Sequence, residues 1–279
     1  MRVRLLGSIT LLALSRPAAA QQGYQAPDVH FVPTPMEVVE SMLAVTKVGP
    51  KDVVYDLGSG DGRIVITAAS RHDARGIGID IDPERIKESR RNADSAGVKG
   101  RVTFRQADLF KTDLRDASVV TLYLLPMLNL RLRPKLFEEL RPGSRIASNA
   151  FDMGDWKPDS VVEVPGKVGG TYNVYYWLLP ADVSGEWTLS VGGQKHELTL
   201  EQRFQELTGT ATVEGGRAQV EEARVKGDSV FFTLRDARFA GEVTGGGAKG
   251  TTTGSETREW TATRRTRGKG PVPPDTTSN

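Results

Sequence analysis

The chain has 279 residues, with 37 Lys and Arg against 35 Asp and Glu, a net charge of +2 and no cysteine. That balance predicts no electrostatic field for nucleic acid, and the missing thiols exclude disulfides, cysteine nucleophiles and Cys-ligated zinc. The length suits two domains or one large one; the histidines, His30, His72 and His196, have no metal-ligand spacing, and no metal site is expected.

At the amino terminus Arg2 and Arg4 precede a short apolar stretch, Leu5 to Leu14, and Ala18-Ala19-Ala20 then gives the small-residue pattern of a cleavage site. Residues 1–20 therefore have the form of a secretory signal peptide, with an apolar core too short to anchor in a bilayer. The expectation is an exported, periplasmic chain with no membrane span once mature, or a cytoplasmic one if the true start lies downstream. Further on, Thr34 and Glu37 read as a capping box, with Pro35 at the first helical position. The helix they open carries Val38, Val39, Met42 and Leu43 on its apolar side.

Residues 53–63 hold the most informative pattern: an apolar strand ends in Asp56, then Gly58, Gly60 and Gly62 alternate with Ser59 and Asp61 before a helix begins. Glycine lets backbone approach a bulky ligand and adopts positive φ. The spacing G-x-G-x-G departs from the dinucleotide fingerprint G-x-G-x-x-G, which argues against a nicotinamide oxidoreductase. The next strand, from Gly76, ends in Asp80, followed by Ile81; a carboxylate there accepts ribose hydroxyls in nucleotide-binding folds. Asp82-Pro83-Glu84 reads as N-cap, N1 proline and first-turn acid of a helix. A third strand, Arg101 to Gln106, leads into Asp108, Leu109 and Phe110. A fourth strand (Val119 to Leu124), a helix (Leu128 to Leu140) and a fifth strand (Ser144 to Ala150) follow, and Val161 to Val164 with Tyr172 to Leu179 form a closing hairpin. Alternating strands and helices imply an α/β, doubly wound sheet with ligands at the strand carboxyl ends. Arg131, Arg133, Lys135 and Arg141 read as a solvated face.

The glycine loop, the acids ending three successive strands and the terminal hairpin resemble the seven-strand, class I S-adenosylmethionine (SAM) methyltransferases over about residues 28–180. Phe31-Val32-Pro33-Thr34-Pro35, Asp108-Leu109-Phe110, Leu124-Leu125-Pro126 and Trp156-Lys157-Pro158 are similar to one branch of these. That branch holds the mitochondrial lysine methyltransferases of the ATP synthase c-subunit and the adenine nucleotide carrier, with their bacterial relatives. The resemblance implies SAM as cofactor, bound by Asp56, Gly58, Gly60, Asp61, Gly62, Asp80, Ile81, Asp108 and Leu109, and a protein or small-amine acceptor. It places Phe31, Thr34, Tyr123, Leu125 and Pro126 along a substrate channel and identifies no general base. Two departures are Asp80, where the mitochondrial enzymes often carry Glu, and Tyr123, where they carry an apolar residue. Tyr123 either faces the incoming amine or packs in the sheet. The lack of an Asn-Pro-Pro-Tyr box after strand four argues against the amino-methylating DNA enzymes.

Past Pro180 the texture changes to short alternating runs with glycine turns, seven of them between residues 184 and 265. They read as a small antiparallel β domain, a barrel or sandwich. Gly185-x-Trp187 and Trp260-x-Ala262-x-Arg264 resemble the barrel-closing Trp and Arg of calycin-like barrels. Residues 266–279, proline-containing and without periodicity, are expected to be disordered. The sequence thus supports a SAM-dependent methyltransferase, most plausibly acting on a protein lysine. Its rival is an exported, non-catalytic protein that keeps the pocket while the β domain carries the function. The oligomeric state is left open.

Overall fold

The computed structural model describes residues 31–167, 169–254 and 256–272; the signal-peptide expectation for residues 1–20 lies outside them. Alternating elements build the first layer: α1 (Met36–Val45), β1 (Val53–Leu57), α2 (Arg63–His72), β2 (Arg75–Asp80), α3 (Pro83–Ser95), β3 (Val102–Gln106), β4 (Val119–Leu122), α4 (Pro126–Glu139), β5 (Arg145–Asn149), β6 (Ser160–Pro165) and β7 (Thr171–Leu178). The seven strands form one sheet in the order β3-β2-β1-β4-β5-β7-β6. β1 to β5 pair in parallel, and β7 alone runs against the rest, entering antiparallel between β5 and β6. Strand order reverses beside β1, so a crevice opens over the carboxyl ends of β1, β2 and β4.

Continuous apolar runs make strands that are covered on both faces. Val53–Leu57 and Val119–Leu122 are buried at every position. On one face α1 and α2 supply Val38, Met42, Val65 and Ala68 to a core shared with Val54, Val119 and Ala147. The opposite face gathers Tyr55, Leu57, Leu122, Leu132, Leu136 and Ile146.

The remaining strands are β8 (Gly185–Val191), β9 (Gln194–Arg203), β10 (Glu206–Val213), β11 (Gly216–Lys226), β12 (Ser229–Leu234), β13 (Ala237–Thr244), β14 (Gly247–Thr253) and β15 (Arg258–Arg267). They close into an antiparallel barrel, with β15 pairing back onto β8. Its interior is packed with Trp187, Leu198, Leu200, Phe232 and Trp260, among which a void of only about 10 Å³ remains, while a cleft of about 440 Å³ bordered by Leu189, His196, Leu234 and Phe239 opens elsewhere on the barrel. Arg264 lies over the Trp187 ring at 4.7 Å and bonds Asp182, which locks the closure. One barrel strand, β14, is absent from the sequence reading. Its residues Gly247, Ala248, Gly250 and three threonines carry no apolar alternation, because Gly241 and Gly250 meet backbone to backbone there.

The expected disorder of residues 266–279 fails for the described part. Thr266 and Arg267 extend β15, Pro271 O accepts the Phe204 amide at 2.6 Å, and Val272 packs on the sheet's second core. Residues 273–279 lie outside the described range.

That contact belongs to the seam between sheet and barrel. Phe204, in the β9–β10 turn, leaves the barrel and stacks on Trp156 with ring centroids 5.9 Å apart, beside Phe137. It does so at φ 54, a left-handed conformation that an aromatic residue holds only where its surroundings compensate. Gln205 accepts the Trp156 indole N–H at 3.0 Å and donates to Lys157 O at 2.9 Å. The basic run on α4 is not uniformly solvated: Arg133 is buried, donates to Met153 O at 2.8 Å, pairs with Asp155 and lies over the Phe204 ring. The barrel thus completes the sheet's second core. Phe204→Ala is expected to cost about 3–5 kcal/mol, the usual range for truncating a buried phenylalanine. Denaturant unfolding should show that loss for the sheet as well as the barrel; a loss confined to one of them would refute shared packing.

Candidate active site

The crevice floor is the glycine loop. Gly58, Gly60 and Gly62 all take positive φ, at 82, 51 and 81°. The loop is folded back by its own amides: Gly58 N and Ser59 N both donate to Ile79 O, at 2.8 and 2.9 Å. Gly60 N donates to one Asp80 oxygen at 2.8 Å, and Asp82 N donates to the other at 2.9 Å. One carboxylate therefore pins both the loop and the entry to α3. Asp82 in turn accepts Glu84 N at 2.8 Å, which confirms it as the α3 N-cap.

The three glycines serve different contacts. Gly58 lines the crevice, whereas Gly60 and Gly62 do not. A Cβ on Gly60 would sit 2.1 Å from the Phe31 ring, and one on Gly62 would meet Phe104 and Ser89. Gly62 therefore answers to α2–α3–β3 packing, a role the spacing alone does not reveal. Asp61 grips Arg63 through a two-pronged pair, with Nε to Oδ1 at 2.9 Å, and Arg63 donates to Thr34 O at 2.8 Å. This link holds the segment before α1 across the loop. The expected Thr34–Glu37 capping box does not form. Pro35 occupies the N-cap position with no side-chain cap, the Thr34 side chain faces the crevice, and Glu37 accepts Lys167 N at 3.0 Å.

Around the crevice stand Asp56, Asp61, Asp80, Ile81, Asp108 and Leu109 of the expected cofactor residues, and Phe31, Thr34 and Tyr123 of the expected channel. Leu125 and Pro126 fall outside it: β4 ends at Leu122 and α4 starts at Pro126, so Leu125 is the N-cap residue of α4 and is turned outward. Ser59, Arg85 and Leu128 also line the crevice, with no signal in the sequence that marks them as site residues, and so does Phe110 of the Asp108-Leu109-Phe110 match. Phe110 follows the acid of the third strand closely, and Arg131 covers its ring at 3.8 Å. Tyr123 borders the crevice and is stacked with Phe151 at 6.2 Å, so its ring has both a packing partner and a place at the site edge.

Electrostatics single out Asp56. It is buried, accepts the Thr121 hydroxyl at 2.8 Å and has no cationic partner among the described residues. Burial pushes its pKa up to about 7, opposed by the Thr121 hydrogen bond and assisted by the nearby Asp80 and Asp61. Asp80 is raised in the same direction, again mainly by burial and against the bonds from Asp82 N and Gly60 N. A crevice with one buried and one half-buried carboxylate, neither paired with a cation among the described residues, is built for a ligand that carries positive charge and hydroxyl donors.

Comparison with known proteins gives the same direction. Residues 56–160 match the family model described as the ANTKMT methyltransferase domain. The protein-lysine N-methyltransferase of Saccharolobus islandicus is 43% identical over 151 residues, covering 53% of this chain and 94% of that protein. The adenine nucleotide translocase lysine N-methyltransferase of Mus musculus is 35% identical over 134 residues, covering 48% of this chain and 58% of that protein. A crystal structure described as an RNA methyltransferase from Salinibacter ruber, in complex with S-adenosyl-L-homocysteine, is 55% identical with a TM-score of 0.50, covering 53% of this chain and 93% of that one. All these alignments leave roughly half of this chain unmatched.

The raised pKa of Asp56 has a signed consequence. Its folded value, about 7, lies above the ordinary unfolded value of about 4. Its contribution to stability is therefore complete below about pH 4 and is lost as the pH rises through about 7. Asp56→Asn mimics the protonated form. Melting curves of the two proteins should show the wild type losing stability relative to Asp56→Asn between about pH 4 and 7, with a flat difference above. A difference independent of pH would mean that Asp56 titrates normally.

Proposed function

The chain belongs to the ANTKMT methyltransferase family, and we propose that its α/β domain transfers a methyl group from SAM to the side-chain amine of a lysine in a protein acceptor. The observation that carries this reading is the glycine loop pinned by the half-buried Asp80 beside the buried Asp56, neither with a cationic partner among the described residues. SAM supplies an electrophilic methyl carbon on a cationic sulfur, and the residues present fit its parts. Asp56, beside Gly58, suits the charged amino-acid end; Asp80, at the tip of β2, suits the ribose diol; Asp108, with Leu109 and Phe110, suits the adenine edge and face. Their arrangement around one crevice also weighs against a decayed, non-catalytic pocket.

Methyl transfer asks little covalent chemistry of the protein. The amine must arrive neutral and in line with the departing sulfur, so alignment and desolvation dominate. Tyr123 presents an aromatic ring at the crevice edge, where it stabilises the developing methylammonium by a cation–π contact worth about 0.5–2 kcal/mol. A protein acceptor is favoured over a free amine by the rim. Phe31, Val32, Leu125 and Met127 are among the few large apolar side chains left exposed. Phe31 and Val32 line the crevice, and Leu125 and Met127 adjoin its lining residues Leu124 and Leu128. Exposed apolar residues gathered at a site mouth mark a surface that meets a partner. The solved relative described as an RNA methyltransferase gives the alternative acceptor to test.

Transfer of labelled methyl from SAM into a panel of lysine-bearing proteins, small amines and RNA, followed by hydrolysis to free amino acids, tests the assignment. Methyllysine is the expected product, and label confined to RNA would overturn it. Met127→Glu should raise the KM for a protein acceptor at least severalfold and leave SAM affinity unchanged; an unchanged KM would remove the rim from acceptor docking. Tyr123→Ala should slow turnover about 3- to 30-fold, the equivalent of that cation–π contact, while calorimetric SAM affinity stays near wild type. Parallel loss of melting temperature and SAM affinity would assign Tyr123 to packing alone.

A further inference from the structure

Phe110 lines the crevice from a turn rather than from a strand or helix. Asp108 builds that turn: its Oδ1 accepts Phe110 N at 2.9 Å, and its carbonyl accepts Lys111 N and the Thr112 hydroxyl, both at 3.0 Å. These bonds fix the backbone and leave the ring to choose its rotamer. The ring is only partly buried, packed like Leu109 and Leu128 against the sheet's second core. Its direction therefore depends on what covers the side that the core does not.

Arg131 covers it. Its guanidinium carbon lies 3.8 Å from the centre of the Phe110 ring, whereas the other cation–ring contacts of the described residues span 4.7 to 5.6 Å. α4 places it there: Leu128 lines the crevice, and Arg131, three residues on, follows on the same side of the helix. Arg131 is exposed and is not part of the crevice wall, so it holds the ring from outside the space that a ligand would fill. The other basic side chains of α4 are engaged elsewhere, Arg133 with Asp155 and Lys135 with Glu139. Arg131 forms no ion pair among the described residues, and the Phe110 ring is the partner that the structure gives it.

We propose that Arg131 is a positioning residue for the cofactor: it holds the Phe110 ring as the platform on which the adenine of SAM lies. The proposal rests on the SAM reading above and names the residue behind its adenine pocket. A guanidinium set over one face of a phenylalanine removes the rotamers that would swing the ring into solvent or across the crevice. Adenine then meets a wall that is already in place, and binding does not have to order it. The cation also draws the ring's π electrons toward itself. The rest of the ring becomes less negative, and an electron-rich purine stacks against it with less repulsion. Arg131 touches neither the adenine nor the reacting atoms; it acts through Phe110.

Calorimetry on the full chain tests this with two ligands, SAM and 5′-methylthioadenosine, which keeps the adenine and ribose and lacks the amino-acid end. Arg131→Met retains an apolar stem without charge or planar head, and Arg131→Lys retains a cation. Arg131→Met should raise the Kd of both ligands by the same factor, about three- to tenfold, with Arg131→Lys between it and wild type. Phe110→Leu should also weaken both ligands, and adding Arg131→Met to it should cost nothing further, because the arginine has lost the group through which it acts. The melting temperature of Arg131→Met should stay near that of wild type, since the residue is exposed. An unchanged Kd in Arg131→Met overturns the proposal, as does a rise for SAM alone or a full additional loss in the double variant. A raised KM for the protein acceptor with unchanged SAM affinity would instead give Arg131 to the acceptor and likewise overturn it. If the wild type binds neither ligand, the functional reading fails and this inference with it, whereas wild-type binding with indifferent Arg131 variants sinks the inference alone.

Discussion

The hydrogen bonds that Asp80 accepts from Gly60 N and Asp82 N are the constraint on which the site depends. A glycine-rich loop has more backbone freedom to lose than any other segment, and this one loses it to a single half-buried carboxylate and to Ile79 O. The crevice is thereby formed before any ligand arrives, and binding does not have to order the loop. The cost is electrostatic: burying Asp56 fully and Asp80 in part, without cations, raises the pKa of both. A SAM-dependent methyltransferase accepts that cost because its cofactor brings the missing positive charge, so the same burial that destabilises the free protein at neutral pH favours the cation once bound.

The second dependency runs between the two halves of the chain. α4 supplies Leu128 to the crevice wall at its start, and at Arg133, Leu136 and Phe137 it packs toward Trp156 and Phe204. The closed barrel reaches the sheet through Phe204, Gln205 and Arg203. The helix that borders this wall of the crevice is therefore buttressed by a segment that lies beyond residues 56–160, the stretch matched by the family model. The barrel contributes packing there: Phe204 and Gln205 cover Trp156, and Phe204 lies against Arg133 of α4.

Much of this was legible from residues alone, and the reasons differ by element. The acids at the ends of β1 and β2 follow uninterrupted apolar runs, a pattern with few structural interpretations, and Asp82-Pro83-Glu84 carries its helix start in local chemistry. The capping box at Thr34 failed because local pattern matching ignores partners: Arg63 takes the Thr34 carbonyl and Lys167 takes Glu37, and both come from elsewhere in the chain. Gly62 shares its spacing with Gly58, yet what demands glycine there is Phe104, distant in the chain. β14 was missed because close backbone contact with Gly241 selects small residues and erases the alternation that betrays a strand. Arg133 and Phe204 are unreadable for a like reason: partners distant in the chain enclose them, Met153, Asp155 and Phe204 for Arg133, and Trp156 and Phe137 for Phe204.

The seam has one further consequence, for how the molecule can be watched. Its four tryptophans are divided evenly: Trp156 and Trp177 lie in the sheet's second core, with Trp156 against Phe204, while Trp187 and Trp260 fill the barrel. All four are shielded from solvent in the native state. Intrinsic emission therefore carries two independent signals, one from the barrel interior and one from the junction itself. Substituting either pair by phenylalanine turns the other into a local reporter of whether the two halves separate before they unfold.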